Sequence, residues 1–382
     1  MLTKNQEGMS MKERVQNKRI ISIAGAFIGF CIGAAFATGQ EVLQFFTAYG
    51  FWGIIGAFLS SGLYIYMCIS FLYAGTGMPA GDGNGVFRYY AGEKIGRFFE
   101  WYSILFLYIV MIIMMSGAGA VFSDYYGLAA IWGRLAMGIL AVLAVVFGLK
   151  RLVTVLAPLG PLVIIGCMAV AILGLWKNAG NLSAAQAFIE NTDMVQASGS
   201  FWLSGILHAT FMAALLAVFT ASLGTTVTNK REATMGGLLG GMGFGIGILM
   251  VLFVELAYVE EIAFSDVPML HIANQLGIPA VAHLFSFILL AGIFSTTAPL
   301  LWSVSVRFTK DNTPPFRLLA VALTMVAFLV SYIPFQRLVN LVLPTSGYVG
   351  IVFMLLMVFR QVRGRVSKIQ TVKNSLRETE NS

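Results

Sequence analysis

The sequence predicts an all-α integral membrane protein with about ten membrane-spanning helices, and three observations lead to this fold class. Of its 382 residues, 58% are hydrophobic and only 11% are charged, a composition outside the range of soluble globular domains. Ten apolar runs are each long enough to cross a bilayer, which takes about 18 or more residues with few charges. Basic residues between the runs are concentrated on one side, as membrane topology requires.

The ten runs are called spans 1 to 10. They cover residues 20–48, 51–74, 98–122, 132–149, 152–176, 201–223, 234–257, 281–306, 316–334 and 337–359. With a cytoplasmic N-terminus, 21 of the 24 Lys and Arg residues lie on the inner side, and only Arg134, Lys177 and Arg337 lie outside. We therefore expect a multi-pass membrane protein with both termini in the cytoplasm. The net charge of +7 then serves topology and does not indicate nucleic-acid binding.

The ten spans divide into two halves of five, so any repeat between the halves is inverted. Residues 20–176 form the first five-helix repeat and residues 201–360 the second, with an extracellular connection at 177–200. A cytoplasmic tail at 1–19 precedes them, and a basic cytoplasmic tail at 361–382 follows. Inverted repeats of this kind bind substrate near the bilayer midplane, where the first helix of each repeat is broken.

Span 1 contains the stretch "IGFCIGAAFATGQEVLQFF", residues 28–46, which is unlike a helix that only crosses lipid. Glycine costs about 1 kcal/mol in a helix interior, so Gly29, Gly33 and Gly39 predict a place where the backbone unwinds. Gly33 lies roughly 20 Å along the helix at 1.5 Å per residue, close to the midplane. Unwinding there frees carbonyl and amide groups for a cation and a polar ligand.

Span 8 carries three adjacent hydroxyl residues, Ser295, Thr296 and Thr297, shortly before Pro299. They fall roughly 22 Å along the helix, at the same depth as the predicted break in span 1. Hydroxyl oxygens and a carbonyl released by proline are ligands that a small hard cation prefers. The alternative is that the hydroxyls only bond to the preceding helical turn. The matching depth favours a cation site between spans 1 and 8.

The stretch "GAAFATGQEVLQFF", residues 33–46, resembles the "GAGFASGQE…QFF" signature of the YkvI-like bacterial membrane proteins. That family is related to the LeuT-fold transporters of the amino acid, polyamine and organocation superfamily. The resemblance covers about residues 20–360 and implies a LeuT-like 5+5 inverted repeat with broken helices in spans 1 and 6. It departs from the signature at Ala35, where glycine is usual, and at Thr38, which replaces serine.

The resemblance also implies a sodium site and a substrate pocket. The implied sodium ligands are the carbonyls of Gly33 and Phe36 and the side chains of Thr296 and Thr297, with Ser295 as the alternative in a shifted register. The implied substrate-binding residues are Gly33, Ala34, Ala37, Thr38, Gly39, His208, Phe211 and Met212. Span 6 contributes an apolar pocket face but has no glycine or proline between Gly205 and Gly224 to mark its break.

Three ionisable residues in the spans allow more than one interpretation. Glu41 follows the break and is expected toward the outer vestibule, where it carries a coupling proton, binds an amine or gates, or is an interfacial carboxylate in water. His208 is either a proton relay or a hydrogen-bonding group between helices. Glu255 lies near the outer end of span 7 and is expected at the membrane interface.

Two further segments have predicted structural roles. The stretch "GGLLGGMGFGIG", residues 236–247 in span 7, predicts a small-residue surface on which neighbouring helices pack. The stretch "EEIAFSDVPMLHIANQLGIP", residues 260–279, predicts a short amphipathic lid over the outer vestibule.

Together these features predict a cation-coupled secondary transporter, with sodium favoured over protons, that moves a small organic solute by alternating access. A small hydrophobic amino acid or a related compound is the favoured solute. The alternatives are a non-transporting receptor or structural protein on a transporter scaffold, and an intramembrane enzyme. An enzyme is disfavoured because the sequence contains no HExxH, GxSxG or mid-membrane Asp pair. The expected partners are the solute and the lipid bilayer, no cofactor is implied, and the oligomeric state stays open.

Overall fold

The computed structural model describes residues 2–79, 83, 85–146 and 159–380, and within these ranges the side chains of all but 2–15, 34–35 and 364–380. Its regular structure is helical. The first half contains α1 (Leu2–Cys31), α2 (Ala34–Thr38), α3 (Gln40–Phe45), α4 (Trp52–Gly75), α5 (Gly85–Asp124), α6 (Ala130–Val146), α7 (Leu159–Asn178) and α8 (Leu182–Glu190). The second half contains α9 (Phe201–Phe211), α10 (Ala213–Gly224), α11 (Lys230–Ala257), α12 (Val259–Ile262), α13 (Pro268–Gln275), α14 (Pro279–Phe308), α15 (Pro314–Val330) and α16 (Phe335–Glu380).

These helices account for the ten predicted spans. Within the described ranges, six helices are long and apolar enough to cross a membrane, and α9 with α10 makes a seventh crossing that is bent by 47°. The apolar helices α6 and α15 have 17 residues each and correspond to spans 4 and 9. Span 1 is divided among α1, α2 and α3. The predicted end of span 4 and start of span 5 fall at 147–158, outside the described residues.

Helix α5 begins well before residue 98, the predicted start of span 3. Its first turns end at Gly92, where the backbone takes φ 76 and ψ 177 and kinks. Across this kink Arg88 Nε donates a hydrogen bond to Glu100 Oε1 at 2.6 Å, and the Glu100 side chain is buried. The helix before Gly92 is therefore attached to span 3 by a partly buried ion pair.

The glycines of residues 236–247 pack α11 against two neighbouring helices, as the sequence predicted. A Cβ atom on Gly236 would lie 2.7 Å from Ile23 Cγ2 of α1, and one on Gly241 would lie 2.6 Å from Ile65 Cγ1 of α4. Both distances are too short for two carbon atoms. The missing side chains thus let spans 1 and 2 pack directly on the backbone of span 7.

The segment between spans 7 and 8, for which the sequence predicted a short amphipathic lid, forms the two short helices α12 and α13. We call the membrane side opposite to the two termini the far face; the charge pattern predicts it to be the outer side. Helix α13 lies there, with Met269, Ile272 and Ala273 fully buried. Its apolar side therefore covers the far end of the helix bundle.

Candidate functional site

Span 1 is interrupted at the predicted position. Helix α1 ends at Cys31, Gly33 takes an extended conformation with φ −88 and ψ −172, and the short helix α2 follows. Gly39 then takes the left-handed conformation with φ 86 before α3 begins. An L-residue rarely adopts such a φ, so the second interruption depends on glycine. Gly33 and Gly39 thus interrupt the helix twice within a few residues, whereas Gly29, which the sequence also indicated, lies inside the continuous helix α1.

The carbonyls predicted as sodium ligands take part in this break. The Gly33 carbonyl accepts a hydrogen bond from the Ala37 amide at 3.0 Å, and the Phe36 carbonyl accepts one from the Gly39 amide at 3.0 Å. A carbonyl oxygen has two lone pairs, so each keeps capacity for a second partner.

Thr296 is the hydroxyl residue that lies beside the break. A Cβ atom on Gly33 would be 3.7 Å from Thr296 Oγ1, and neither Ser295 nor Thr297 comes within 4 Å of that position. All three hydroxyls donate to backbone carbonyls of the preceding turn, at 2.7, 3.1 and 2.7 Å in chain order. These bonds use the hydroxyl hydrogen and leave oxygen lone pairs. Bonding within the helix is therefore compatible with a cation bound at Thr296.

Span 6 is also broken, although its sequence has no glycine or proline at the break. Helix α9 ends before Met212, α10 begins after it, and the two axes differ by 47°. Span 10 packs closely here, since a Cβ atom on Gly350 would lie only 2.0 Å from the Thr210 carbonyl oxygen. The Thr210 hydroxyl also donates to the Gly347 carbonyl at 2.8 Å. The bend in span 6 therefore coincides with a contact made by glycines of another span.

Glu41 and His208 form a buried pair that joins the two broken spans. Glu41 Oε1 lies 2.8 Å from His208 Nε2, and the two residues are 4% and 0% exposed. The other ring nitrogen, Nδ1, lies 2.8 Å from the Ser60 hydroxyl of span 2. The Tyr64 hydroxyl donates to the His208 carbonyl at 2.9 Å. Both ring nitrogens of His208 are thus engaged, one of them by a carboxyl group.

Aromatic rings surround His208 and separate the pair from water. The ring centroids of five residues lie between 4.6 and 6.4 Å from that of His208: Phe45, Phe46, Tyr64, Phe211 and Phe244. A hydrogen bond between polar groups is stronger in such surroundings because the local dielectric constant is low.

The predicted substrate-binding residues lie at this junction and are largely buried. Those with at most 6% exposure are Ala37, Thr38, His208, Phe211 and Met212. The side chain of Ala34 lies outside the described residues. The interpretation of Glu41 as an interfacial carboxylate in water is wrong, because its side chain is buried and its hydrogen-bond partner is His208 instead of water. Ser60 and Tyr64 belong to the same site, and no signal in the sequence indicated them.

The expectation for Glu255 is also wrong. Its side chain is fully buried, and Oε2 accepts a hydrogen bond of 2.6 Å from the Thr47 hydroxyl. The position near the end of span 7 suggested contact with water, but the far end of span 1 covers the residue. A carboxylate placed inside an apolar run was the available signal for a buried functional group.

A cavity of about 690 Å³ opens on the far face, and residues of the lid segment form much of its wall. Four carboxylates line it, from Asp124, Glu260, Glu261 and Asp266, together with Arg337 and with aromatic and aliphatic side chains. Carboxylates in a concave surface raise the local concentration of cations.

Among the acids that line this cavity, Asp266 has a perturbed pKa. Burial, and secondly the nearby Asp124 carboxyl, raise the pKa of Asp266 above its ordinary value, while a hydrogen bond from the Gln336 amide opposes the shift. The charged form of Asp266 is therefore less favourable in the folded protein than in the unfolded chain.

Comparison with known proteins supports the predicted resemblance. No family model matches the chain. The membrane protein YkvI of Bacillus subtilis (strain 168) is 24% identical over 331 residues, which cover 87% of this chain and 93% of YkvI.

Two solved structures are similar along most of the chain. MhsT in complex with L-phenylalanine has a TM-score of 0.55 at 17% identity, covering 82% of this chain and 79% of that chain. A Na⁺-coupled sialic acid symporter in a substrate-bound outward-open state has a TM-score of 0.55 at 14% identity, covering 90% of this chain and 86% of that chain. The resemblance to YkvI-like membrane proteins is therefore confirmed, and the chain is an all-α membrane protein with the LeuT fold.

Proposed function

We propose that the protein is a cation-coupled secondary transporter that moves a small organic solute, an amino acid or a related compound, by alternating access. The LeuT fold supports the proposal, since one similar protein is bound to L-phenylalanine and another is a Na⁺-coupled symporter. The chain lies in the bacterial plasma membrane in this proposal, with both termini in the cytoplasm, and it is not an enzyme.

The observation that carries the proposal is the buried pair of Glu41 and His208 between the two broken spans. Each break exposes backbone groups that lipid cannot satisfy, so breaks are tolerated only where they line a cavity or bind a ligand. A polar pair that ties one break to the other makes the position of each span depend on the other. A solute with its own polar groups competes for the same partners and thereby shifts the equilibrium between conformations.

Sodium is the favoured coupling ion, bound between spans 1 and 8. The carbonyls of Gly33 and Phe36 and the hydroxyl of Thr296 would hold it, with Thr297 or Ser295 as a further oxygen ligand. The lone pairs left free on these groups fit a hard monovalent cation. Coupling follows if the ion and the solute both bind more tightly to one conformation than to the other.

The test is the thermal stability of the purified protein in sodium, potassium and choline chloride at equal ionic strength. Sodium should raise the melting temperature, because an ion that binds only the folded state stabilises it, by about 2.7 kcal/mol at a hundredfold excess over its Kd. The double variant Thr296→Ala with Thr297→Ala should lose the part of this shift that the site between spans 1 and 8 contributes. Thr324→Ala, which removes a buried hydroxyl that bonds within span 9, is the matched control and should keep it. A sodium shift of undiminished, wild-type size in the double variant would rule out this site.

Proton coupling is the second candidate, and the Glu41–His208 pair specifically favours it. Melting temperatures at about pH 5.5 and about pH 7.5 bracket the ordinary pKa of histidine. A stability change between these values that Glu41→Gln removes, without any effect of sodium, would move the coupling to this pair. Proteoliposomes loaded with amino acids then test flux itself: ligand binding without flux under any ion gradient would support a non-transporting receptor.

A further inference from the structure

Unpartnered polar atoms are concentrated along the part of span 1 that follows its break. In the described part of the chain, seven buried side-chain nitrogen or oxygen atoms have no hydrogen-bond partner. Three belong to Gln40 and Gln44 of α3, and a fourth is Oε1 of Glu255. Buried polar groups are nearly always hydrogen-bonded, so a group of exceptions in one place calls for a missing partner.

Glu255 supplies the charge of this group. One carboxyl oxygen accepts the Thr47 hydrogen bond, whereas Oε1 would lie only 2.5 Å from a Cβ atom on Gly39. Oε1 is therefore aimed at the backbone immediately before Gln40. Among the described residues, no Lys, Arg or His forms an ion pair with Glu255. A carboxylate buried without a counter-charge is strongly unfavourable unless a cation or a proton compensates it.

The two glutamines carry further unpartnered oxygens in the segment that follows Gly39. Gln40 and Gln44 are one helical turn apart, so they project from the same side of α3. Both are fully buried, and the side-chain oxygen of each is unpartnered. The amide nitrogen of Gln44 makes only a long contact of 3.4 Å with the Gln336 carbonyl. Two amide oxygens of α3 thus lack partners in the segment that begins directly after Gly39, the residue that Glu255 Oε1 faces.

The lid closes this region on the far face. A Cβ atom on Gly39 would lie 2.9 Å from Met269 Cγ and 3.1 Å from Pro268 Cβ, so the first turn of α13 touches the backbone next to Glu255 Oε1. Met269 is fully buried. Water reaches the unpartnered oxygens only when the lid or span 1 moves, which makes an occupant bound here slow to escape.

We propose that Glu255, Gln40 and Gln44 form a cation-binding site, separate from the site predicted at Gly33 and Thr296. One carboxylate and two amide oxygens are hard ligands with a single negative charge, and they fit a monovalent cation. The positive charge comes from an alkali ion or from the ammonium group of a solute, which form the same contacts with oxygen atoms. The proposal does not require that the protein transports.

The experiment measures the cation dependence of the melting temperature in the Thr296→Ala, Thr297→Ala background, which removes the ligands of the other predicted site. Lithium, sodium, potassium and methylammonium chlorides are compared with choline chloride, whose cation is too bulky for a closed site. At least one should raise the melting temperature. A response to alkali ions alone assigns the site to a metal ion, and a response to methylammonium alone assigns it to an amine.

Glu255→Gln in that background should weaken binding of the responding cation by about tenfold or more, since the charged ligand is lost. The same variant should melt higher than its parent in choline, because it removes an uncompensated buried charge. A purely structural glutamate would instead lower the melting temperature and leave the cation response intact. Glu261→Gln, which changes an exposed acid on the far face, controls for general electrostatic effects.

Three results would overturn the proposal. The first is the absence of any cation response in the background variant. The second is a response that Glu255→Gln leaves unchanged. The third is stabilisation by acid alone that Glu255→Gln abolishes, which would mean that a proton, and no cation, compensates Glu255.

Discussion

The hydrogen bond between Glu41 and His208 can be tested by its coupling free energy in a double-mutant cycle. Its donor and acceptor atoms are 2.8 Å apart, and the two residues are almost or completely buried. Hydrogen bonds between side chains of spanning helices average about 0.6 kcal/mol. Hydrogen bonds to a charged group contribute about 1.5–3 kcal/mol. We expect the higher range, because a carboxylate is one of the partners and aromatic rings exclude water.

The cycle uses Glu41→Ala, His208→Ala and the double variant. After Glu41→Ala, His208 Nε2 keeps no partner and cannot reach water, because the residue is 0% exposed. Breaking a buried pair by removing one member costs about 3–5 kcal/mol, so each single variant should lose about 3 kcal/mol of unfolding free energy or more. The double variant should lose less than the sum, by about 1.5–3 kcal/mol.

The assay is reversible unfolding of the purified protein in mixed micelles with increasing SDS, followed by circular dichroism. A control cycle combines Glu41→Ala with Thr324→Ala in span 9, and the two effects should add to within about 0.5 kcal/mol. A Glu41–His208 coupling at or below about 0.6 kcal/mol would refute the reasoning, because the contact would then be an ordinary bond between helices.

Three more substitutions test other parts of the fold by the same unfolding measurement. Gly39→Ala should lower the unfolding free energy by at least about 1–2 kcal/mol for its left-handed φ alone. Gly29→Ala should be neutral or stabilising, because Gly29 is helical and a Cβ atom there would have no neighbouring atom within 4 Å; equal effects of the two variants would contradict this. Because the pKa of Asp266 is raised, the folded state holds its proton more tightly than the unfolded chain, and this contribution to stability is lost as pH rises above about 4. Asp266→Asn should remove that loss, and identical pH–stability curves for the variant and the wild type would contradict it. Arg88→Ala should lower the unfolding free energy by about 1–3 kcal/mol, because it leaves the buried Glu100 without its strongest partner. Arg88→Lys should recover part of this stability, and unchanged stability in both variants would show that solvent compensates Glu100.

The break in span 1 was predictable because its cause is local. Gly33 and Gly39 mark both interruptions, and the backbone values confirm that the second one needs glycine. The positions of most helices followed from apolar run length, which the bilayer thickness sets. These features depend on residues that are adjacent in the chain, so a single sequence is sufficient to find them.

The break in span 6 is not marked in its own sequence, and the residues that pack closely against it belong to another span. Met212 is an ordinary helix-forming residue, and the glycines that pack against the bend, Gly347 and Gly350, are more than 130 positions away. Only the predicted inverted repeat and the resemblance to a LeuT-like fold indicated it. Likewise, Glu41 and His208 were each identified as candidates, but 167 positions separate them, and their pairing required the fold.

Glu255 was misplaced for a related reason. Depth in the membrane was judged from its distance to the end of span 7, on the assumption that helix ends face water. In the fold, Thr47 at the far end of span 1 and the first turn of α13 both cover that helix end. Burial of a helix end depends on which loops fold over it, and hydropathy contains no information about this.

The segment of span 1 beyond the break forms polar side-chain contacts with three different helices. Glu41 bonds to span 6 at 2.8 Å, Thr47 to span 7 at 2.6 Å, and Gln44 contacts the start of α16 at 3.4 Å. In the proposed transporter, alternating access needs this segment to move relative to at least one of these neighbours. Each buried partner left unpaired would cost about 1–3 kcal/mol, so the movement is unfavourable unless a solute, a cation or a proton takes the vacated place. Such an arrangement makes motion conditional on ligands, which is the physical requirement of coupled transport.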